Sequence, residues 1–174
     1  MFKKLFLLFA TINILYAHPH TFIEVYPTIT LKGQNIQNIQ FKWQLDEMTS
    51  SMLIMEFDAN SNGKIDQNEI PYIYENYFLP LVDYNFYTDI TTKQKIQKFP
   101  MPKNFSATIT NNKICYIFDI DEQYNINNTF FDFGDSDFFV AMVLKKEFIT
   151  INNSSVKVSD LDNDFYFGYR LEFN

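Results

Sequence analysis

The pattern of apolar and polar positions beyond residue 20 is that of β-structure. Across residues 21–31 the two kinds of position alternate, which is typical of a strand with one buried face. Residues 32–35 have the composition of a turn. Alternation resumes over residues 36–45 and places Phe41 and Trp43 on one face, so we predict a β-hairpin.

The spacing of apolar residues changes to that of an α-helix after the hairpin. We predict a short helix over residues 49–57, with Asp46 and Thr49 as candidate N-caps, and a second helix over residues 67–81. Pro71 is compatible with the second helix because it falls in the first turn. The predicted buried face of that helix consists of Ile70, Ile73, Tyr74, Tyr77 and Phe78.

The remainder of the chain has the pattern of short strands separated by turns rich in Asn and Asp. The predicted strands are residues 84–91, 105–110, 113–120, 129–133, 138–144, 148–151, 156–158 and 166–173. Two helices among many short strands predict an α+β, mainly β fold. We expect one domain over residues 18–174, a sandwich-like antiparallel β domain with a helix–loop–helix inserted at about residues 48–82.

The segment between the two predicted helices has the spacing of an EF-hand calcium loop. Calcium prefers about 6–8 oxygen ligands in a flexible geometry. Residues 58–69 supply oxygen ligands at the positions that such a loop requires, and Gly63 permits its sharp turn. The predicted ligands are Asp58, Asn60, Asn62, Lys64 through its main-chain carbonyl, Asp66 and Glu69. The alternative is a turn rich in Asn and Asp with chance spacing.

The predicted calcium loop has few charged ligands, since Asp58, Asp66 and Glu69 alone are acidic. This predicts weak binding, with a dissociation constant of about 10⁻⁵–10⁻³ M. The sequence contains no second EF-hand to pair with, so we expect calcium to be structural. A calcium switch is the alternative, because methionine-rich grooves occur in calcium sensors. This alternative concerns Met48, Met52 and Met55, whose spacing is explained equally well if they are buried core residues.

The first 17 residues have the pattern of a secretory signal peptide. Lys3 and Lys4 precede an apolar stretch over residues 5–16, and Ala17 is a plausible cleavage position. The stretch is short for a transmembrane helix, although an uncleaved anchor is the alternative. We therefore expect a periplasmic protein. The formal net charge is −7, which disfavours nucleic acid and anionic membranes as partners and favours cations.

Both histidines of the chain, His18 and His20, would lie at the mature N-terminus. Together with the terminal amine they offer nitrogen ligands, which suit zinc, nickel and copper. Pro19 lacks an N–H and excludes the square-planar chelate that copper and nickel form at some N-termini. A solvated terminus without metal is the alternative. Further ligands predicted at this end of the hairpin are Glu24, Asp46 and Glu47.

Several motifs, in order along the chain, resemble those of one bacterial family. They are His-Pro-His-Thr-Phe-Ile-Glu at residues 18–24, Trp-Gln-Leu-Asp-Glu at 43–47, the start of the calcium loop at 57–63, Tyr-Asn-Phe-Tyr-Thr at 84–88 and Asp-Ser-Asp-Phe-Phe-Val at 135–140. The chain resembles a family of unknown function that is described as the periplasmic component of an uncharacterised ABC-type transport system. Ser136 replaces the usual proline of that family.

The resemblance implies a protein that works beside an inner-membrane permease of the nickel/cobalt type and handles zinc or nickel. It implies His18 and His20 as candidate metal ligands and carries over no catalytic residue. The leading prediction is therefore a periplasmic accessory protein for divalent transition-metal transport, of zinc, nickel or cobalt, with a structural calcium site. The alternative is a calcium-stabilised extracytoplasmic binding or adhesion module without a transition-metal role.

We expect no enzymatic activity. The sequence shows no Ser/His/Asp or Cys/His arrangement. A copper enzyme with an N-terminal histidine brace was also considered, but no further histidine exists to complete that site. The single cysteine, Cys115, lies in a predicted strand and is expected to be a buried apolar residue.

Overall fold

A computed structural model describes residues 20–137, 139–163 and 166–174. The predicted signal peptide, residues 1–17, and His18 lie outside the described residues. Within the described part the chain is mainly β, with two sheets and a few helical segments, as the sequence predicts. No helix in this part is both long and apolar enough to span a membrane.

The chain consists of strands, with helical segments between some of them. The strands are β1 (Thr21–Lys32), β2 (Asn35–Leu45), β3 (Thr88–Thr92), β4 (Lys95–Gln97), β5 (Lys103–Thr110), β6 (Lys113–Ile120), β7 (Thr129–Gly134), β8 (Val140–Val143), β9 (Thr150–Ile151), β10 (Val156–Asn163) and β11 (Tyr166–Phe173). The helices are α1 (Glu47–Phe57) and α2 (Ile70–Ile73), which continues as a π turn (Tyr74–Phe78) and a 3₁₀ segment (Leu79–Tyr87). Shorter 3₁₀ turns cover Ile126–Asn128 and Lys146–Phe148.

Two sheets divide these strands between them. The first has the order β5-β6-β2-β1-β8, with β9 also paired to β1, and the second has the order β10-β11-β7-β3-β4. The predicted hairpin is β1 and β2. The expectation of a purely antiparallel fold is wrong at β1, which pairs in parallel with both β8 and β9. The reason is that the chain crosses from the second sheet to the first after β7.

The core is aromatic and joins both sheets. Phe41 of β2 lies with its ring centroid 6.1 Å from that of Phe133 in β7. Phe78, from the π turn, packs against Trp43 at 6.3 Å and Phe118 at 4.9 Å. These side chains are all buried, and burial of each aromatic ring stabilises the fold by about 1.5–3 kcal/mol. The helical insertion is therefore part of the core and not an appendage.

Helix α1 begins at Glu47, two residues before the predicted start, and ends at Phe57 as predicted. Asp46 is its N-cap, and its carboxylate accepts the N–H of Thr49 at 2.9 Å. The second helix begins later than predicted and is irregular. Pro80 has no N–H and its ring crowds the carbonyl four residues back. The turn before it widens, so that the N–H of Leu79 bonds to the carbonyl of Tyr74, five residues back.

Two further expectations are corrected. The predicted strand over residues 84–91 begins only at Thr88, because Asn85, Phe86 and Tyr87 have positive φ angles that no strand allows. The interpretation of Met48, Met52 and Met55 as core residues is also wrong, because all three are exposed. Cys115 is buried, as predicted, and burial raises the pKa of its thiol.

Candidate functional site

The predicted calcium loop is held by hydrogen bonds from its own backbone. The N–H groups of Asn62 and Gly63 donate to the two carboxylate oxygens of Asp58 at 2.9 and 2.7 Å. The N–H of Asn62 also approaches Oδ1 of Asn60 at 3.0 Å, and the N–H of Lys64 donates to Oδ1 of Asn62 at 2.9 Å. The oxygens at loop positions 1, 3 and 5 therefore all face the loop's own backbone.

The acidic residues in the second half of the loop close it. Oε1 of Glu69 accepts the N–H of Ala59 at 2.9 Å, and Oε2 accepts the N–H of Asp66 at 2.7 Å. Oδ2 of Asp66 accepts the side-chain amides of Asn60 and Asn62 at 2.9 and 2.8 Å, and these bonds lower the pKa of Asp66. One hydrogen-bond network thus joins all five predicted side-chain ligands.

The geometry of the loop leaves oxygen lone pairs free. A carboxylate or amide oxygen has two lone pairs, so an oxygen that accepts one N–H can still face a cation. Gly63 has φ +80°, a conformation that side chains other than hydrogen resist. Outside the loop, the rings of Phe57 and Tyr77 pack edge to face at 4.7 Å and join the two flanking helical segments. The loop is therefore a compact, oxygen-lined turn between packed helices.

His20 lies exposed at the start of β1, beside the chain that enters β8. The main-chain N–H of His20 donates to the main-chain carbonyl of Phe139 at 2.9 Å. The rings of the two residues stack with their centroids 6.3 Å apart. Two residues later, Phe22 exchanges two hydrogen bonds with Asp46: its N–H donates to Oδ2, and its carbonyl accepts the N–H of Asp46, both at 2.9 Å. The beginning of β1 is therefore fixed on both sides.

Asp46, one of the predicted further metal ligands, accepts hydrogen bonds from both α1 and β1 in the structure. Burial disfavours its charge, but the hydrogen bonds from Phe22 and Thr49 outweigh burial and lower its pKa. Its Oδ2 also accepts the hydroxyl of Thr49 at 2.8 Å. Both oxygens of Asp46 are thus occupied in capping α1 and holding β1.

The other two predicted metal ligands, Glu24 and Glu47, differ in their hydrogen bonding and exposure. Oε2 of Glu24 accepts the hydroxyl of Tyr26 at 2.8 Å and the amide of Gln44 at 3.0 Å. Burial and the bond to Glu24 raise the pKa of Tyr26 to about 12. Glu47 is exposed at the first turn of α1. Glu24 is therefore held along the sheet surface, and Glu47 points into solvent.

A cavity of about 380 Å³ borders the second sheet, at the ends of β3 and β7. It is lined by the turn that follows β7 and by the segment that leads into β3. The turn continues to Phe139, which contacts His20. The described lining residues include four carboxylates and no lysine or arginine; the acids are Asp83, Asp89, Asp135 and Asp137. We call this space the acidic cavity.

The buried carboxylate of the acidic cavity is Asp135, which is 6% exposed. One oxygen accepts the N–H of Asp137 at 3.0 Å, and the other accepts those of Phe139 and Val140 at 3.1 and 3.0 Å. Burial, with the negative charges nearby, raises the pKa of Tyr87 to about 12. The four carboxylates in its lining, and not this pKa, are the reason that the cavity disfavours added negative charge and favours a cation.

The wall of the acidic cavity contains unusual backbone. Asn85, Phe86 and Tyr87 have φ angles of 52°, 49° and 49° in sequence. Such left-handed geometry costs about 1–2 kcal/mol for each ordinary residue. The side chain of Asn85 holds it in place, since its amide donates to the carbonyl of Thr88 at 2.8 Å and its oxygen accepts the N–H of Phe99 at 2.8 Å. Strain of this kind is concentrated at functional sites.

The sequence did not indicate the acidic cavity. Its two walls lie about 45 residues apart along the chain, and only the pairing of β3 with β7 brings them together. The signal available was the resemblance, because residues 84–88 and 135–140 are two of its motifs. In the described residues, no group of three or more His, Cys, Asp or Glu side chains lies close enough to hold one metal ion. The cavity thus supplies charge rather than a complete set of ligands.

Comparison of the sequence with known protein families identifies the family to which the chain belongs. Residues 4–160 match the family described as "Protein of unknown function (DUF1007)". The chain belongs to this family. Family membership agrees with the predicted resemblance to a bacterial family of unknown function.

Two relatives are similar to the chain over about half of their length or more. An "Uncharacterized protein" from Haemophilus influenzae is 29% identical over 118 residues, which cover 65% of this chain and 53% of that protein. An "Uncharacterized 15.5 kDa protein in trpE 3'region" from Spirochaeta aurantia is 29% identical over 100 residues, which cover 54% of this chain and 69% of that protein. The chain therefore spans about half the length of the Haemophilus relative.

Proposed function

We propose that this DUF1007 protein is a periplasmic accessory protein for divalent transition-metal transport. In this proposal His18 and His20 bind zinc, nickel or cobalt, the acidic cavity attracts the cation, and calcium stabilises the loop at residues 58–69. The partner is an inner-membrane permease of the nickel/cobalt type, as the resemblance implies. The protein has no catalytic role in this scheme.

The observation that carries the proposal is a series of contacts that connects four of the motif segments. His20 bonds to Phe139 of the last motif, and Phe22 bonds to Asp46 of the second. The fourth motif and the last one line the acidic cavity together. Segments far apart in sequence are thus connected to the chain at and near His20, which supports a binding site in this region.

Electrostatics support a cation as the ligand. Four carboxylates line the acidic cavity, and unit charges about 4 Å apart near a protein surface interact by about 4 kcal/mol. Nitrogen ligands from histidine suit zinc and nickel. The acidic cavity would raise the local concentration of the cation, and the histidines would bind it. This division of roles fits the lack of three clustered ligands in the described residues.

The transition-metal proposal is tested by calorimetric titration of zinc and nickel into protein that begins at His18. The variant with His18→Ala and His20→Ala should lose binding. Asp137→Asn should weaken binding at low salt, because screening by salt removes the contribution of an exposed charge. The matched control is Asp121→Asn, which removes an exposed acid that pairs with Lys103 outside the cavity. Undiminished metal binding by the double histidine variant would exclude this function.

The calcium proposal is tested by thermal unfolding in calcium and in a chelator. For a dissociation constant of about 10⁻⁴ M, about 10 mM calcium adds about 2.7 kcal/mol of stability. For a domain of this size that corresponds to a rise in Tm of about 5–11 °C. Glu69→Gln should remove the rise, because an amide cannot bind through two oxygens. Lys64→Ala should keep it, because only the main-chain carbonyl of that residue is a predicted ligand.

The second candidate is a calcium-stabilised binding or adhesion module without a transition metal. The hydrogen bonding of Asp46 favours it, because three hydrogen bonds to both oxygens of this predicted ligand serve the cap of α1 and the start of β1. The same two experiments separate the candidates. A calcium-dependent Tm together with no zinc or nickel binding would favour the module.

A further inference from the structure

The side of α1 that faces away from the core carries three methionines. Met48, Met52 and Met55 are 63%, 56% and 79% exposed. Their spacing of four and three residues places them within about 60° of one another around the helix axis. We call these three residues the methionine face. The larger apolar residues on the other sides of α1 pack against the core; they are Leu53, Ile54 and Phe57.

Contacts on the opposite side of α1 fix the direction of the methionine face. Ser50 is fully buried there. Its hydroxyl donates to the carbonyl of Leu45 at 3.2 Å and accepts the N–H of Ile114 at 2.9 Å. The helix therefore buries a serine and exposes three thioethers. Rotation of the helix to bury the methionines would break both hydrogen bonds and expose Phe57.

The composition of the methionine face points to sulfur chemistry. Single exposed apolar side chains are ordinary on protein surfaces. Here three adjacent exposed positions carry the same residue type, and half of the six methionines in the chain are on this one helix face. Flexible methionine side chains also suit an apolar docking surface, and leucine variants, which keep the apolar surface, separate that case from sulfur chemistry. The shared property of these three side chains is the thioether.

We propose that the methionine face binds one soft monovalent metal ion, Cu(I) or Ag(I), through its three thioether sulfurs. Thioether ligands select Cu(I) over harder cations. Met48 and Met55 lie about 10.5 Å apart along the helix axis, with Met52 between them. Methionine side chains are long, unbranched and flexible, and in this proposal the outer two bend toward an ion above Met52. Binding changes no oxidation state and requires no other reactant.

The methionine face differs in chemistry from the sites proposed above. The loop offers oxygen ligands, and the N-terminus offers nitrogen ligands. Neither type prefers a soft monovalent ion over the divalent cations assigned to it. The flanking acids of α1, Glu47 and Glu56, add negative charge at its two ends. The proposal therefore stands whether or not the protein handles zinc or nickel.

Silver(I) is a suitable probe because it does not change oxidation state in air. The Cys115→Ser protein, labelled with ¹³C at the methionine methyl groups, is titrated with silver nitrate in chloride-free buffer and followed by NMR. The signals of Met48, Met52 and Met55 should shift together and saturate at one equivalent. Met101, which is 47% exposed, and the buried Met142 are internal controls that should not move. A Met101 signal that shifts at the same silver concentration would overturn the proposal.

Replacement of all three methionines of the face by leucine keeps the apolar surface and removes the sulfur. Silver bound at equilibrium is measured by dialysis and metal analysis, with Cys115→Ser as the background because a thiol also binds silver. The triple variant should bind one equivalent less than its parent, and Met101→Leu should bind the same amount. Equal binding by the triple variant and its parent would refute the site. Circular dichroism confirms that each variant is folded.

Discussion

Replacement of Asp46 by alanine should loosen α1 and the start of β1 together, because one carboxylate serves both. Loss of the N-cap costs about 1 kcal/mol. The N–H of Phe22 also loses its acceptor, and because Phe22 is exposed and water can replace it, we estimate about 0.5–1 kcal/mol for that bond. The expected decrease in the free energy of unfolding is therefore about 2 kcal/mol, or about 4–8 °C in Tm.

Asp46→Asn divides that loss into its two parts. Asparagine is as good an N-cap as aspartate, so its amide oxygen can keep the bond to the N–H of Thr49. Its amide nitrogen replaces Oδ2 and cannot accept the N–H of Phe22. We expect Asp46→Asn to lose about 0.5–1 kcal/mol, roughly half the effect of alanine. Urea unfolding followed by circular dichroism measures both variants against the parent.

The effect of Asp46 should also depend on pH in a defined direction. Its pKa is lowered in the folded state, so the unfolded chain binds the proton more readily. The stabilisation is therefore present above the ordinary aspartate pKa of about 3.9 and is lost as pH falls through the lower, folded value. The difference between parent and Asp46→Ala should be constant from neutral pH to about pH 5 and shrink below pH 4. Equal stabilities of the alanine variant and the parent at pH 7 would refute this reasoning.

Two further substitutions test polar contacts, one between α1 and the first sheet and one within the second sheet. Ser50→Ala leaves the N–H of Ile114 unpaired in the core. Urea unfolding should therefore show a decrease of about 1–3 kcal/mol in the free energy of unfolding. A decrease below about 0.5 kcal/mol would show that the hydroxyl is dispensable. Arg170 pairs with Asp132 through two nitrogens, both at 2.7 Å, and Arg170→Lys loses that two-pronged geometry. We expect a decrease in stability of about 1 kcal/mol, measured in the same way, and no decrease would indicate that the pair is replaceable.

The parts of the fold that follow local periodicity could be predicted from the sequence. Strand β6 has the predicted bounds, and β1 and β2 differ from the prediction by one residue at one end. The N-cap at Asp46 was also a local signal, because capping depends on residues within one turn. These elements agree with prediction because their own side-chain pattern determines which face is buried.

The parts that depend on distant contacts could not be predicted. Phe86 and Tyr87, in the strained backbone before β3, have high strand propensity. The tertiary contacts of Asn85 and the burial of Phe86 override that propensity. The methionine face has helical spacing, and spacing alone does not say which side of a helix faces water. Burial of Ser50 decides it, and the N–H of Ile114 that binds Ser50 is 64 residues away.

Helix α1 links the three proposed binding regions, and this connection has a measurable consequence. Its N-terminus is fixed by Asp46 beside Phe22. At its other end Asp58, the first loop residue, caps it by donating its N–H to Ile54 at 3.0 Å. Calcium at the loop should therefore order the last turn of α1, where Met55 lies, and leave the first turn unchanged.

The methionine methyl signals can measure this difference. On addition of calcium the signal of Met55 should shift or sharpen, whereas that of Met48, held near the Asp46 cap, should stay within the line width. In Glu69→Gln the Met55 response should disappear. Equal responses of both methyl groups would mean that calcium acts on the whole helix. The absence of any response at saturating calcium would mean that the loop and α1 are not coupled.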